Sequence, residues 1–338
     1  MHMEVLAMAT IKDVAARAGV SLGTASRVLS GSSQTSPDSR SRVLAAAAEL
    51  QYVANGPARA LRRARTDVLG LLLPDIRNPF FSELAHAAEQ EARRLGYTVL
   101  LANADEDRDQ EAAYLRTFAS QRIDGLLLAP QQGGSPELES LHASGLPLVL
   151  VDRAVRGLDA PLLSTDNAQG VAQALAWLQA GGHRDVAFVG GPAAISTGVE
   201  RRDAYLAGRA AHGISTDDAL VDAGDFQLGS GTDAMLRILD RGVRPTAVFG
   251  ADGLMTAGAM RALRQRLGDE ARAVEVVSFD DLDWFDLRSP GISAVVNDAA
   301  EIGRLGVAAL ADVIAGRPVA SQRIATTFVD RRPAGGTA

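Results

Sequence analysis

The sequence predicts two unlike parts: a small head of three helices built on a helix-turn-helix, then an α/β core of two doubly wound parallel-sheet subdomains. Three observations lead there. Residues 1–65 hold nine basic side chains against four acidic ones, a balance of +5, whereas the whole chain of 338 residues carries −7, so the remainder carries −12. Three helix-start signals fall within the first 40 residues. From Asp67 onward short apolar runs alternate with helical stretches. With 47% apolar residues, a chain of this length has the material for two or three cored domains, which excludes disorder as its main state. The charge division points to a polyanion-binding module joined to a domain that DNA would repel.

In the head, Thr10-Ile11-Lys12-Asp13 has the form of a capping box, so a helix starts at Ile11 and stops at Gly19, which tolerates the left-handed turn. Ser21 is a second N-cap, opening a helix from Leu22 to Leu29 that Gly31 closes. Ala15 and Ala18 let the two helices approach, and Val14, Val20, Ala25, Val28 and Leu29 supply the buried side. Ser36-Pro37-Asp38 starts a third helix, with Val43, Leu44, Ala47 and Leu50 at helical spacing. Such a helix-turn-helix also occurs in bundles that bind no DNA; the local positive charge favours the DNA-binding use.

In the core, strands are predicted at 67–73, 97–102, 123–129, 147–151, 186–190, 246–250 and 274–279, with helices at 80–95, 108–121, 167–180, 198–212, 228–241 and 252–267. Apolar strands separated by helices argue for parallel sheets covered on both faces. Ligands of such sheets bind beyond the carboxyl ends of the strands. Those ends are polar here: Asp75 and Asn78, Asn103 and Asp105, Asp152 and Arg153, Asp166 and Asn167, Asp252, Asp280 and Asp281. Turns favour Asp and Asn in any case, so residue type alone does not separate ligand contacts from turn formers.

Other classes find little support. There is no cysteine, hence no disulfide and no thiolate metal site. The start MHMEVLAMA lacks a secretory pattern, no apolar run approaches the ~18 residues of a membrane span, and a cytoplasmic protein is expected, with residues 1–8 as an extension before the first helix. Gly229-Ser230-Gly231 is not a dinucleotide fingerprint, Lys12 is the sole lysine, and His2, His86, His142, His183 and His212 show no metal-ligand spacing. Asp280 and Asp281 would point to opposite sides of an extended chain. No cofactor, no metal and no catalysis are expected.

The run TIKDVAARAGVSLGTASRVLSG, residues 10–31, closely resembles the DNA-binding start of the lactose-repressor (LacI/GalR) family, departing at Ala25 and Ser30. The resemblance implies that the second helix enters the major groove with Leu22, Gly23 and Arg27 toward bases, while Ser21, Thr24 and Ser26 hold phosphates or the fold. Arg27 has the donors to bridge guanine O6 and N7, and Leu22 the methyls to touch thymine. Gly23 has no side chain to read with, which shifts weight to DNA deformation. Residues 52–62, with Ala54 where the family has proline, resemble its hinge helix and imply DNA contacts for Asn55, Arg59 and Leu61, the last as an apolar wedge in the minor groove. Seven or eight residues are too few for a stable isolated helix, so this segment is expected to fold only on DNA and its dimer mate.

The remaining motifs, from VLGLLLPDIRNPFFSEL at 68–84 to VVSFDDL at 276–282, follow the family's periplasmic-binding-protein-like core in order. The resemblance implies a head at 9–53, a hinge at 54–66 and an effector-binding core at 67–333. Within it one subdomain takes 67–164 and 296–322, the other 165–295 and 323–333. It further implies effector contacts at Phe80, Phe81, Thr197, Arg201, Phe226, Asp252 and Asp280, joined by Asp75, Asn78, Asp152 and Asp166. Arg201 and Asp280 could clamp vicinal hydroxyls while Phe81, Phe226 and Trp284 stack on a sugar's C–H face. Ala251 replaces a common amide ligand, and Ile195 stands where purine-binding members carry arginine, which favours a sugar or polyol over a purine. The expectation is a homodimeric regulator, a repressor of sugar-utilisation genes, binding a palindromic operator and switched by a small effector as inducer or corepressor. The alternatives are a regulator answering to a nucleoside or other metabolite, and a sugar-binding protein without regulatory role. With no leucine heptad after Asp330, no tetramerising tail is expected.

Overall fold

The computed structural model describes residues 9–30, 34–52, 65–131 and 133–332. The chain divides into two compact units, Met1–Thr66 and Asp67–Ala338. In the first, α1 (Ile11–Ala18) opens on the full capping box: the Thr10 backbone N–H donates to Asp13 at 2.8 Å while Thr10 Oγ1 accepts from the Asp13 N–H. Gly19, at φ 63°, turns the chain. Helix α2 (Leu22–Leu29) starts on Ser21, and α3 (Pro37–Glu49) on Ser36 with Pro37 in its first turn. Val14, Ala15, Ala18, Ala25, Val28, Val43 and Ala46 form the core. Leu44 departs from the expected pattern: it is 52% exposed, because the buried stripe of α3 runs through Val43 and Ala46. The close of α2 at Gly31 and the hinge residues Asn55, Arg59 and Leu61 lie outside the described residues.

The second unit holds two six-stranded sheets. The first contains β1 (Val68–Leu73), β2 (Thr98–Asn103), β3 (Gly125–Leu128), β4 (Leu148–Val151), β5 (Leu162–Thr165) and β11 (Gln322–Ile324), in the order β11-β5-β4-β3-β1-β2 and all parallel. The second contains β6 (Val186–Gly190), β7 (Val221–Ala223), β8 (Ala247–Gly250), β9 (Glu275–Phe279), β10 (Ser293–Val296) and β12 (Thr327–Val329), ordered β12-β10-β9-β8-β6-β7. It is parallel save for β12, which runs antiparallel to β10 at the edge. The chain thus crosses between sheets three times: after Thr165, after Val296 and after Ile324.

Helices α4 (Pro79–Arg94), α5 (Arg108–Gln121), α6 (Pro136–Ala143) and α11 (Ala299–Ile314) accompany the first sheet. Helices α7 (Asn167–Ala180), α8 (Ser196–Gly208), α9 (Leu228–Asp240) and α10 (Gly253–Leu267) accompany the second. Both α6 and α11 fall outside the helical segments read from the sequence, as do the strands β5, β7, β10, β11 and β12. These strands are three or four residues long, too short for a period to show. Leu71, Leu73, Leu84, Val149, Ile302 and Leu310 knit α4 and α11 onto the first sheet. The helices approach closely because Gly303 has no side chain: a Cβ there would stand 2.3 Å from the Leu84 carbonyl oxygen.

That contact makes Gly303→Ala destabilising by roughly 1–3 kcal/mol through overpacking against backbone, whereas Gly229→Ala, on an open face of α9, should be neutral or slightly stabilising. Thermal melts of the two variants check this; an unchanged Gly303→Ala would refute the packing account.

Candidate functional sites

On the head, Leu22, Gly23 and Arg27 are exposed, while Ala25 and Val28 of the same helix are buried. Burying one side of α2 therefore presents its opposite side. Ser21 and Thr24 are tied into the cap: Ser21 Oγ accepts from the Thr24 N–H at 3.1 Å and lies 2.9 Å from Thr24 Oγ1. Ser26 is half-buried.

In the second unit a narrow, nearly closed cleft lies between the carboxyl ends of the two sheets. Its lining brings together Asn78, Phe80, Phe81, Asp152, Thr197, Arg201, Phe226, Asp252 and Asp280, all expected contacts, with Arg153, read as a polar strand end but not as a contact, and Asn297, which the sequence reading missed. Arg153 follows Asp152 beyond β4, and Asn297 follows β10. Each is the polar residue just past an apolar strand, the signal that marked the others. Asp75 and Asp166 are not in the lining. Asp75 is buried and accepts from Arg77 and from Gln227 Nε2, and Asp166 caps α7 by accepting from the Gln169 N–H at 3.0 Å. Trp284 lies elsewhere too, in a separate groove with Met260, Arg264 and Leu287.

Local structure aims these side chains. Asn78 caps α4 through Oδ1, which accepts from the Phe80 N–H, leaving Nδ2 to donate to Asp252 Oδ2 at 3.3 Å. Asp252 caps α10, its Oδ1 accepting from the Met255 N–H at 2.6 Å. Arg201 is fixed at two nitrogens: Nε donates to Asn167 Oδ1 at 2.8 Å and Nη1 to the Ala251 carbonyl at 2.7 Å. Its guanidinium lies 3.8 Å from the Phe279 ring centroid. Arg153, 2% exposed, stands 5.5 Å from the Phe81 centroid and 5.7 Å from that of Phe226. Asp280 Oδ1 accepts from Asn297 Nδ2 at 3.1 Å. Asp152, Phe226 and Asp280 take left-handed backbone at φ 61°, 67° and 69°. For a phenylalanine that conformation is costly, and strain of this kind persists where surrounding structure enforces it.

Electrostatics follow from burial. Desolvation pushes Asp252 up to about 8, reinforced by the neighbouring Asp280 carboxylate and only partly offset by the Met255 N–H and Arg201. Asp152 rises to about 6 by burial, with Arg153 and Arg201 opposing. Asp280 is likewise raised by burial, against Arg201 and Asn297. The cleft thus presents carboxyl groups and guanidinium edges beside two aromatic faces, a set suited to a polyhydroxylated ligand. Among the described residues no group of three His, Asp or Glu stands as metal ligands, and no helix is long and apolar enough to cross a membrane.

The family model for periplasmic binding proteins and the sugar-binding domain of the LacI family matches residues 66–304, and that for bacterial regulatory proteins of the lacI family matches residues 10–55. The chain is 30% identical over 327 residues to the ribose operon repressor of Bacillus subtilis, covering 96% of this chain and 98% of that protein. It is 38% identical over 306 residues to the HTH-type transcriptional regulator PtxS of Pseudomonas aeruginosa, covering 87% and 86%. Among solved structures, the lac repressor dimer bound to operator and the anti-inducer ONPF superposes with a TM-score of 0.83 at 25% identity, covering 96% of this chain and 98% of that one.

The raised Asp252 carboxyl has a consequence for stability. Between its ordinary value of 3.8 and about 8 the folded state keeps a proton that the unfolded state has released, so stability falls as pH rises through that window. Asp252→Asn keeps the cap through its amide oxygen and removes the titration. Its melting temperature should vary less than that of the wild type from about pH 5 to about pH 8, and should be the higher of the two at the alkaline end. Equal slopes would count against a buried, protonated Asp252.

Proposed function

This chain belongs to the LacI family of bacterial regulatory proteins, and on that premise we propose that its cleft takes a monosaccharide effector which controls operator binding through the hinge. The protein is a DNA-binding transcriptional regulator whose partners are operator DNA, a small effector and a second copy of itself. The single observation that carries the effector reading is the cleft itself, where two buried arginines, three buried aspartates and Phe81 and Phe226 converge beyond the strand ends. The named ribose operon repressors support D-ribose as the first sugar to try.

In this reading Arg201 and Asp280 hold neighbouring hydroxyls while Phe81 and Phe226 cover the C–H face. Asn78, Phe80 and Asp152 complete the contacts from one subdomain, Thr197 and Asp252 from the other. The carboxyl groups serve as hydrogen-bond partners, and no catalysis is assigned to them. On DNA, Arg27 reads guanine and Leu22 a thymine methyl, with Ser21, Thr24 and Ser26 near the backbone. Asn55, Arg59 and Leu61 act from the hinge, Leu61 entering the minor groove. Two heads related by a two-fold axis match a palindromic site. Effector binding changes the relative disposition of the subdomains and so the free energy of ordering the hinge on DNA. The site of action is the cytoplasm, with the DNA.

Two measurements test this. Operator affinity should fall linearly with salt on a log–log plot, and Arg27→Ala should relax base discrimination by roughly 1–3 kcal/mol at one position; a flat salt dependence or unchanged specificity would overturn the head assignment. For the cleft, D-ribose or another monosaccharide should raise the melting temperature of the wild type and fail to do so for Arg201→Ala. Stabilisation only by non-sugars, or equal stabilisation of both proteins, would reject the effector site.

A further inference from the structure

We infer that Glu106, which is not in the cleft lining, sets the charge selectivity of the effector site by occupying the Arg153 guanidinium, so that the cleft takes a neutral sugar and rejects the same sugar bearing a carboxylate or phosphate. This rests on the reading of the cleft as a sugar site.

The argument begins with where each positive charge goes. Arg153 Nη1 and Nη2 donate to the two carboxylate oxygens of Glu106 at 2.9 and 2.6 Å, a fork-to-fork pair. The Arg153 Nε lies 3.7 Å from Asp152 Oδ2. Arg201 uses Nε and Nη1 on Asn167 and Ala251, and its charge acts on Asp252 and Asp280. At the rim, Arg77 is held by Asp75 and Asp105. Arg323 is held by Glu200. Among the described residues around the cleft, Arg153, Arg77 and Arg323 are thus each paired with a carboxylate, Arg201 is held by an amide and a carbonyl, and Asp152, Asp252 and Asp280 still face inward. An entering anion would be desolvated beside three aspartates, with the Arg153 charge already taken by Glu106 and only Arg201 left to face it. A neutral sugar brings hydroxyls that donate to those carboxyl oxygens and accept from the guanidinium edges.

Glu106 is placed for this by backbone geometry. Asp105 and Glu106 are consecutive left-handed residues, at φ 53° and 56°, just beyond β2. The turn is pinned where the Glu106 N–H donates to the Pro74 carbonyl at 2.9 Å and the Asp107 N–H to that of Ala104 at 2.9 Å. Two adjacent residues in this region carry a conformational cost that the rest of the loop must offset. The result sends the Glu106 carboxylate behind the cleft wall onto a guanidinium that is itself 2% exposed. Without that carboxylate, Arg153 would be a buried cation between the Phe81 and Phe226 rings, paired only loosely with Asp152: an anion receptor.

The test compares affinities of wild type, Glu106→Gln and Glu106→Asp by calorimetric titration against two sets of probes. These are D-ribose, D-ribonate and D-ribose 5-phosphate, and D-glucose, D-gluconate and D-glucose 6-phosphate. The wild type should prefer the neutral member of the set it binds by about tenfold or more, and Glu106→Gln, with Arg153 left unmatched, should narrow or invert that preference by about tenfold. Glu106→Asp keeps the charge and should retain the wild-type order, which a merely structural role for Glu106 would not distinguish from Gln. A wild type that binds an anionic member as tightly as the neutral one overturns the inference while leaving the sugar site standing, even should Glu106→Gln fail to fold. So does a folded Glu106→Gln with the wild-type ratio. Binding of none of the six by the wild type overturns both the inference and the sugar reading.

Discussion

Burying two guanidinium groups between the ends of two sheets is the constraint from which much of the core's detail follows. An unpaired buried charge costs several kcal/mol, on the order of 3–5 when one partner of a buried pair is missing, so each arginine must be surrounded before the fold closes around it. For Arg201 the surrounding is built from one helix turn and one strand end: Asn167 and the Ala251 carbonyl in plane, Phe279 against its face. Asn167 is in turn oriented by donating to Glu200 Oε2 at 2.8 Å, and Glu200 is gripped by Arg323. For Arg153 the surrounding is Glu106, Asp152 and two phenyl rings. The left-handed residues Glu106, Asp152, Phe226 and Asp280 then have one explanation. Each turns the chain sharply at a strand end so that a polar or aromatic side chain reaches an arginine or its neighbours.

The same seam is where the chain crosses between sheets, and the crossings are bound to one another. Thr165, ending β5, donates to Asn297 just past β10; the Asp166 N–H donates to the Ile324 carbonyl at 2.8 Å; Arg323 of β11 reaches the Thr165 carbonyl at 3.4 Å. Asn297 also donates to Asp280 in the cleft. One amide therefore serves both the bundle of crossings and a carboxylate that faces the ligand space. Hinge motions concentrate at a few element-terminal residues of this kind. A hydroxyl that competes for Asp280 Oδ1 changes the bonding of a crossing segment directly, with no chain of intermediates.

How much of this was legible in the sequence divides along physical lines. Caps and turns are local, so Thr10, Ser21 and Ser36 were readable from neighbouring residues alone, and the long apolar strands announced themselves. The helix α11 was missed although its signal is present in AAEIGRLGVAALADVI, where the buried Ala299, Ile302, Gly303, Gly306, Val307 and Leu310 recur at helical spacing. The strand-end rule found Asn78, Asp152, Asp252 and Asp280 but could not separate them from Asp75 and Asp166, since all are Asp or Asn at the same kind of position. Even capping does not separate them: Asn78, Asp252 and Asp166 all cap helices. What distinguishes the first two is a second polar atom that faces across the cleft, and that depends on the opposite subdomain, which no local pattern encodes. Trp284 failed for a similar reason, as a large aromatic near the right strand on the wrong side of a helix.

Where the ion pairs lie also bears on how the protein can switch. Arg153 pairs with Glu106 and Asp152 inside the first subdomain, and Arg201 is hydrogen-bonded to Asn167 and the Ala251 carbonyl inside the second. The direct bonds across the cleft come from uncharged donors: Gln227 Nε2 to Asp75 at 3.0 Å, Asn78 Nδ2 to Asp252 at 3.3 Å, and the Ala154 N–H to Ser196 Oγ at 2.9 Å. Such bonds contribute about 1 kcal/mol each once exchange with water is counted, so closure of the empty cleft is a matter of a few kcal/mol. Moving a two-state equilibrium from one side to the other takes about 5.5 kcal/mol of differential binding, a quantity that several hydroxyl contacts and a covered C–H face can supply. Buried ion pairs spanning the seam would have held the halves together whatever the metabolite did. Apart from the half-exposed Arg323–Glu200 pair at the crossings, keeping the buried cleft charges within their own subdomains leaves the seam weak enough for a small neutral molecule to decide its state.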